Sequence, residues 1–192
     1  MEEVTSTPDP TSYFGQAVAE LRSVIARAEV AVSEIRAPQR LAPYSFALGI
    51  EVEGAGGEYA TGRLILLHDP NRPQSWDGVL RVVAYLRAEI DVEVAADPLL
   101  PDVGWSWLTE ALDNHGATLT ALGGTITRTS SARYGDIAGP VRTDDVEIRA
   151  SWSPLDTTLR PHGEAFCELL AVAAGLPPVG VAPMARFSQH RA

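Results

Sequence analysis

Tyr44-Ser45-Phe46-Ala47-Leu48-Gly49-Ile50-Glu51-Val52-Glu53 is the stretch from which the fold is read. Apolar Tyr44, Phe46, Leu48, Ile50 and Val52 alternate with Ser45, Ala47, Gly49, Glu51 and Glu53, and a period of two puts the two sets on opposite faces of a strand. One face is apolar enough to bury. The other carries small residues and glutamates, as in a sheet solvated on one side. Gly54-Ala55-Gly56-Gly57 then turns the chain, and a second strand over 59–68 runs back, completing the clearest hairpin in the sequence. Further on, Val79 to Asp91 fits two periods. Leu80, Val82, Ala84, Leu86 and Ile90 read as a strand, whereas Val79, Val82, Val83, Leu86 and Ile90 read as a helix. The hairpin leaves an edge that a third strand pairs, so a strand is expected.

Toward the N-terminus, Val30, Val32 and Ile35 predict a short strand, joined to the hairpin through Ala37-Pro38-Gln39-Arg40-Leu41-Ala42-Pro43. Before it, Phe14, Val18, Leu21 and Ile25 recur at helical spacing behind Thr11 as N-cap, which predicts an amphipathic helix of about four turns. Toward the C-terminus, Asp97-Pro98 and Asp102 open a helix to His115, with Val103, Trp107, Leu108, Ala111 and Leu112 facing the core and Gly116 ending it. Strands over 118–130, broken at Gly123-Gly124, and 146–152 follow. A last helix over 158–174 stops at Gly175-Leu176-Pro177-Pro178.

The order α-β-β-β-β-α-β-β-α predicts an α+β domain: an antiparallel sheet of five or six strands with helices packed mainly on one face. It does not alternate strand and helix as mononucleotide-binding folds do. One domain over 11–178 is expected, with a disordered leader over 1–10 and a loose tail over 179–192.

The chain of 192 residues is 45% hydrophobic and 21% charged, enough for one sizeable core. No apolar run approaches the ~18 residues that span a bilayer, and the acidic start Met1-Glu2-Glu3 is unlike a secretory signal, so a cytoplasmic, non-membrane protein is expected. Net charge is −10 and all 15 basic residues are arginine. The acidic balance argues against general nucleic-acid binding. Without lysine, Schiff-base chemistry and a phosphate-loop lysine are excluded. Lysine and asparagine use AT-rich codons, and asparagine is confined to Asn71 and Asn114, which points to a GC-rich bacterial genome. The single cysteine, Cys167, lies in a helical apolar pattern and reads as a small core residue.

Motifs with chemical potential have plainer explanations. The 54–57 glycines join two strands, where a phosphate loop needs strand then helix. Gly104-Trp105-Ser106-Trp107-Leu108 lacks the second glycine of a serine-hydrolase elbow. His68-Asp69 could supply metal ligands or an acid with its orienter, but His115, His162 and His190 lie at no ligand spacing, and an aspartate-proline turn explains the pair. No catalytic residue, metal ligand or cofactor is assigned. Glu51, Glu147, Arg63, Arg81, Arg87 and Arg149 fall on strands, either as cross-strand charge pairs or as a polar docking surface. Trp107 and Trp152 read as core. Trp105 lies off the helical stripe and Trp76 in a polar loop, where an exposed tryptophan would suit a binding hot spot.

Residues 37–44, Leu66-Leu67-His68-Asp69-Pro70, 97–108 and Val146-Glu147-Ile148-Arg149-Ala150-Ser151-Trp152 together resemble an uncharacterised actinobacterial family, a domain of unknown function, over 14–178. The resemblance implies a cytoplasmic actinobacterial protein and carries no activity with it. In element order the chain is also similar to secretion-chaperone-like domains, from which the strand near Val30 departs; this implies polypeptide binding by fold analogy alone. The expected function is a non-enzymatic binding or adaptor domain that recognises another protein or a second copy of itself, with Trp105, Trp76, Arg40, His68, Asp69 and Arg149 as contact candidates. The alternatives are an enzyme using His68 and Asp69, a hydrolase or a metal-dependent one, and a small-ligand-binding domain.

Overall fold

The computed structural model describes residues 12–53, 59–137, 139 and 142–179. Helix α1 (Tyr13–Arg22) precedes β1 (Val30–Glu34), β2 (Tyr44–Glu53), β3 (Tyr59–His68), a 3-10 turn over Gln74–Trp76 and β4 (Leu80–Ile90). Then come α2 (Val92–Ala96), α3 (Leu100–Asn114), β5 (Leu119–Ala132), β6 (Arg142–Pro154) and α4 (Arg160–Ala173). All six strands pair antiparallel in the order β1-β2-β3-β4-β6-β5. The fold is α+β, and the ambiguous stretch from Val79 is strand β4. The hairpin between β2 and β3 has the expected register, Val52 opposite Ala60; its glycine turn over 54–57 lies outside the described residues, as do 1–11 and 180–192.

Period two divides the sheet into two faces. Leu48, Leu64, Ala84 and Ala150 lie on the face that carries the helices, and Phe46, Leu66, Val82 and Trp152 form the next row. Onto these pack Phe14, Val18 and Leu21 of α1, Leu108 and Leu112 of α3, and Phe166, Leu169 and Leu170 of α4, all buried in one core. Each large side chain so buried contributes about 1.5–3 kcal/mol of transfer free energy. Gly62 lets α4 approach closely: a Cβ there would stand 2.9 Å from Phe166 Cζ. The short α2 lies over the same face, where Arg128 Nη1 of β5 donates to the Ala95 carbonyl at 2.7 Å.

Four expectations about the helices are corrected. The N-cap of α1 is Ser12, whose Oγ accepts from Gly15 N–H at 2.9 Å. This helix ends at Arg22, so Ile25 lies beyond it and is 68% exposed. Helix α2 was not anticipated. Helix α3 starts at Leu100 instead of Asp102, and its inward stripe runs through Leu100, Gly104, Leu108, Ala111 and Leu112; Val103 points outward, 40% exposed. A Cβ on Gly104 would lie 3.5 Å from Ile126 Cγ2 and 3.9 Å from Ile148 Cδ1, and a glycine is invisible to a hydrophobic pattern.

Candidate interaction surface

The second sheet face carries none of the helices among the described residues. Its residues follow from the register: Gly49, Arg63, Tyr85, Arg149 and Thr125 make one row across five strands, and Ala47, Ile65, Val83, Ser151 and Gly123 the next. Ile65 and Val83 are half-buried in the middle, with Tyr85 beside them. Four arginines, Arg63, Arg81, Arg87 and Arg149, project onto this face of an otherwise acidic chain.

Their partners divide them. Arg149 Nη2 meets Glu147 Oε1 at 2.7 Å, while Tyr85 Oη donates to the other oxygen of Glu147 at 2.9 Å. The Arg149 guanidinium also lies 5.8 Å from the Tyr85 ring centroid, within cation–π range. Arg87 pairs with Asp145 at 2.8 Å. Arg63 is exposed and has no carboxylate partner among the described residues. Arg81 is half-buried and is held by neutral groups alone: Ser151 Oγ at 2.6 Å, Ser153 Oγ at 3.2 Å and the Ala121 carbonyl at 3.0 Å. That carbonyl is aimed by the irregularity in β5 between Thr120 and Gly123, where Ala121 adopts φ 53°. Desolvation lowers the pKa of Arg81 below that of free arginine, yet an arginine stays protonated throughout the physiological range. Among the described residues, the half-buried cation therefore has neutral groups around it and no carboxylate partner. Burial, and then the neighbouring Glu147, raise the pKa of Tyr85, which stays a hydroxyl donor.

The candidates from sequence separate onto the two faces. Arg149 lies on the uncovered face. Trp76, half-buried, ends the 3-10 turn, and its carbonyl accepts from Ser153 Oγ at the Arg81 end of that face. Arg40, exposed and with left-handed backbone at φ 69°, lies in the β1–β2 connection, which Ser45 Oγ ties down by donating to the Pro38 carbonyl at 3.3 Å. His68, Asp69 and Trp105 do not join them. His68 points to the helix side and stacks on Phe14 at 5.7 Å and Tyr44 at 5.5 Å, and burial lowers its pKa. Asp69 Oδ1 accepts from both nitrogens of Asn71 and so closes the turn after β3. No hydrogen bond joins His68 and Asp69 among the described residues, and His68 Nδ1 is buried without a partner there. Trp105 is half-buried on α3 with its ring over β5, where Cζ3 lies 3.0 Å from the place a Cβ on Gly124 would take.

Tyr85 was missed in sequence as a contact residue; its parity with Arg81 and Arg87 along β4 was the signal available. Among the described residues, no group of three or more His, Cys, Asp or Glu side chains could hold a metal ion. Nor is any helix there long and apolar enough to cross a membrane. Comparison with curated proteins and with solved structures finds no match. A family model does match, over residues 10–182, nearly the whole chain, and the resemblance noted in sequence is one to a family without assigned activity. The chain belongs to the DUF3000 family of proteins of unknown function.

Proposed function

We propose that this chain is a protein-binding domain without enzymatic activity, and that its uncovered sheet face takes an acidic segment of a partner polypeptide. The observation that carries the reading is the charge on that face. Arg63 and Arg81 have no carboxylate partner among the described residues, and Arg149 is exposed beside Tyr85. Half-buried Ile65 and Val83 give the same area an apolar centre, the arrangement of a hot spot with a polar surround. One glutamate or aspartate of the partner over Arg63 and another over Arg81 would supply the missing counter-charges. The element order, β1 and α2 set aside, is similar to that of secretion-chaperone-like domains and supports a polypeptide as the occupant. Cytoplasmic residence and an actinobacterial source belong to the same reading, supported by the single buried cysteine and the all-arginine cation set.

The test is affinity purification with cross-linking and mass spectrometry from the source organism, wild type against the double variant Arg63→Glu/Arg149→Glu. A partner held by wild type, cross-linked to β3, β4 or β6 through an acidic segment and lost from the variant is the expected outcome. A partner retained equally by the variant, or cross-linked only to the helical side, would replace this reading.

A further inference from the structure

On the helical side, far from the arginine face, a cavity of about 500 Å³ opens between α4, the connection from α1 to β1, and the chain that follows α4. Cys167, Ala171 and Leu176 form its floor, and Ile25 and Val172 stand at its walls. The volume falls in the ~300–1,000 Å³ range of small-molecule sites. At one end the lining turns polar. His115, the C-cap residue of α3, reaches Glu168 Oε2 with Nε2 at 2.6 Å, and its Nδ1 lies 3.8 Å from Glu164 Oε2.

The hydrogen-bond acceptors at that end are not all matched by donors. Glu164 already has two donors: Arg160 Nε and Ile25 N–H both donate to Oε1, at 2.7 and 3.2 Å. Burial works against its ionisation, but these bonds and the Arg160 charge hold its pKa below the usual carboxylate value. Arg27, at the other end, is spent on Glu29 at 2.8 Å and on the Pro177 carbonyl at 2.8 Å. Glu168 has only the His115 imidazole, and its second oxygen has no hydrogen bond among the described residues; it is 43% exposed. That end of the cavity therefore presents a carboxylate oxygen without a donor above an apolar floor. A second polar group is also unused. Cys167 is 4% exposed, lines the floor, and has no hydrogen-bond partner among the described residues.

We infer that this cavity binds a small amphipathic amine, with its ammonium group against Glu168 and Glu164 and its apolar body on Cys167, Ala171 and Leu176. An ammonium supplies the three donors that this end lacks. A carboxylate in the same place would face two acids. An uncharged apolar ligand would leave the second oxygen of Glu168 without a donor, as the cavity has it now.

Calorimetric titration of the full chain with three probes of one shape tests this: 4-phenylbutylamine, 4-phenylbutanol and 4-phenylbutanoate. Saturable binding of the amine below the millimolar range is expected, at least ~tenfold tighter than either of the others. Glu168→Gln should weaken the amine by about fivefold or more while leaving the alcohol unchanged. Amine-induced methyl shifts in NMR should centre on Ile25, Val172 and Leu176. Arg63→Glu should bind the amine as wild type does, so the test stands apart from the proposal for the arginine face. Equal or tighter binding of the carboxylate, an unaltered affinity in Glu168→Gln, methyl shifts on Ile65 and Val83 instead, or no saturable binding at all would overturn the inference.

Discussion

His162 is 1% exposed beneath Trp152, whose Nε1–H donates to its Nδ1 at 3.0 Å. An imidazole that accepts there is neutral, and burial pushes its pKa down to about 4. The unfolded chain protonates the same side chain near 6.5. Above that pH both states hold a neutral ring and nothing is at stake. As pH falls from 6.5 toward 4 the unfolded state gains a proton that the folded state refuses, so stability declines, by roughly 3 kcal/mol in all. His162→Asn keeps an acceptor for Trp152 and removes the titration. Urea unfolding at pH 7 and pH 4.5 should therefore show a smaller acid loss in the variant than in wild type; equal losses would assign the acid sensitivity elsewhere. Cys167 is the neighbouring case. Burial, and then Glu164, push its thiol up to about 12, so almost none is thiolate at pH 8. A thiol reagent should label the native protein far more slowly than the protein in denaturant. Rapid stoichiometric labelling of the folded chain would place the sulfur at the surface.

At the scale of elements, β5 depends on two adjacent glycines that behave differently. A Cβ on Gly124 would run into the Arg149 carbonyl and the Trp105 ring, whereas one on Gly123 meets nothing within 4 Å. Gly124→Ala must push α3 outward or break the pairing of β5 with β6, at a cost of about 1–3 kcal/mol, the range for overpacking. Gly123→Ala should stay within about 0.5 kcal/mol of wild type. Thermal unfolding of both variants compares them; equal stabilities would mean that Trp105 and β5 are not packed as described. The same segment marks the limit of sequence reading. Strand β2 was legible because its buried and solvated faces differ in composition at every step. Strand β4 was ambiguous because Val83 is apolar on the face that no described helix covers and so completes a helical spacing with Val79, Val82 and Leu86; pairing with β3 decided it. Helix α2, five residues between Asp91 and Asp97, is too short to display a period. The inward face of α3 was misread because one of its buried positions, Gly104, is a glycine. For the candidate surface, parity along each strand put Arg63, Arg81, Arg87 and Arg149 together. Which of them lack counter-charges was not legible, because that depends on β4–β6 pairing across some sixty residues of chain and on the bulge at Ala121.

For the whole molecule, the question is whether an arginine-bearing face on a chain of net charge −10 would accept nucleic acid as readily as an acidic polypeptide. Affinity for a duplex grows with the number of phosphates neutralised, each releasing a counterion. Of the four arginines, Arg87 and Arg149 are already paired with Asp145 and Glu147. Arg63 and Arg81 remain, which limits the contacts to about two phosphates, and two contacts correspond to a salt slope near −2 and to weak association at physiological salt. The remaining surface is acidic and repels a polyanion over the Debye length of ~8 Å. A polypeptide avoids both penalties, since it concentrates one or two carboxylates where the unpaired arginines are and covers Ile65 and Val83 with apolar side chains that a phosphate backbone lacks. Fluorescence anisotropy with a labelled DNA duplex in 0.15 M salt should therefore show a Kd weaker than ~0.1 mM. Arg63→Glu/Arg149→Glu should weaken that association further while abolishing partner binding. A sub-micromolar Kd for the duplex, falling steeply with salt and lost in the same variant, would make nucleic acid the occupant of this face in place of a polypeptide.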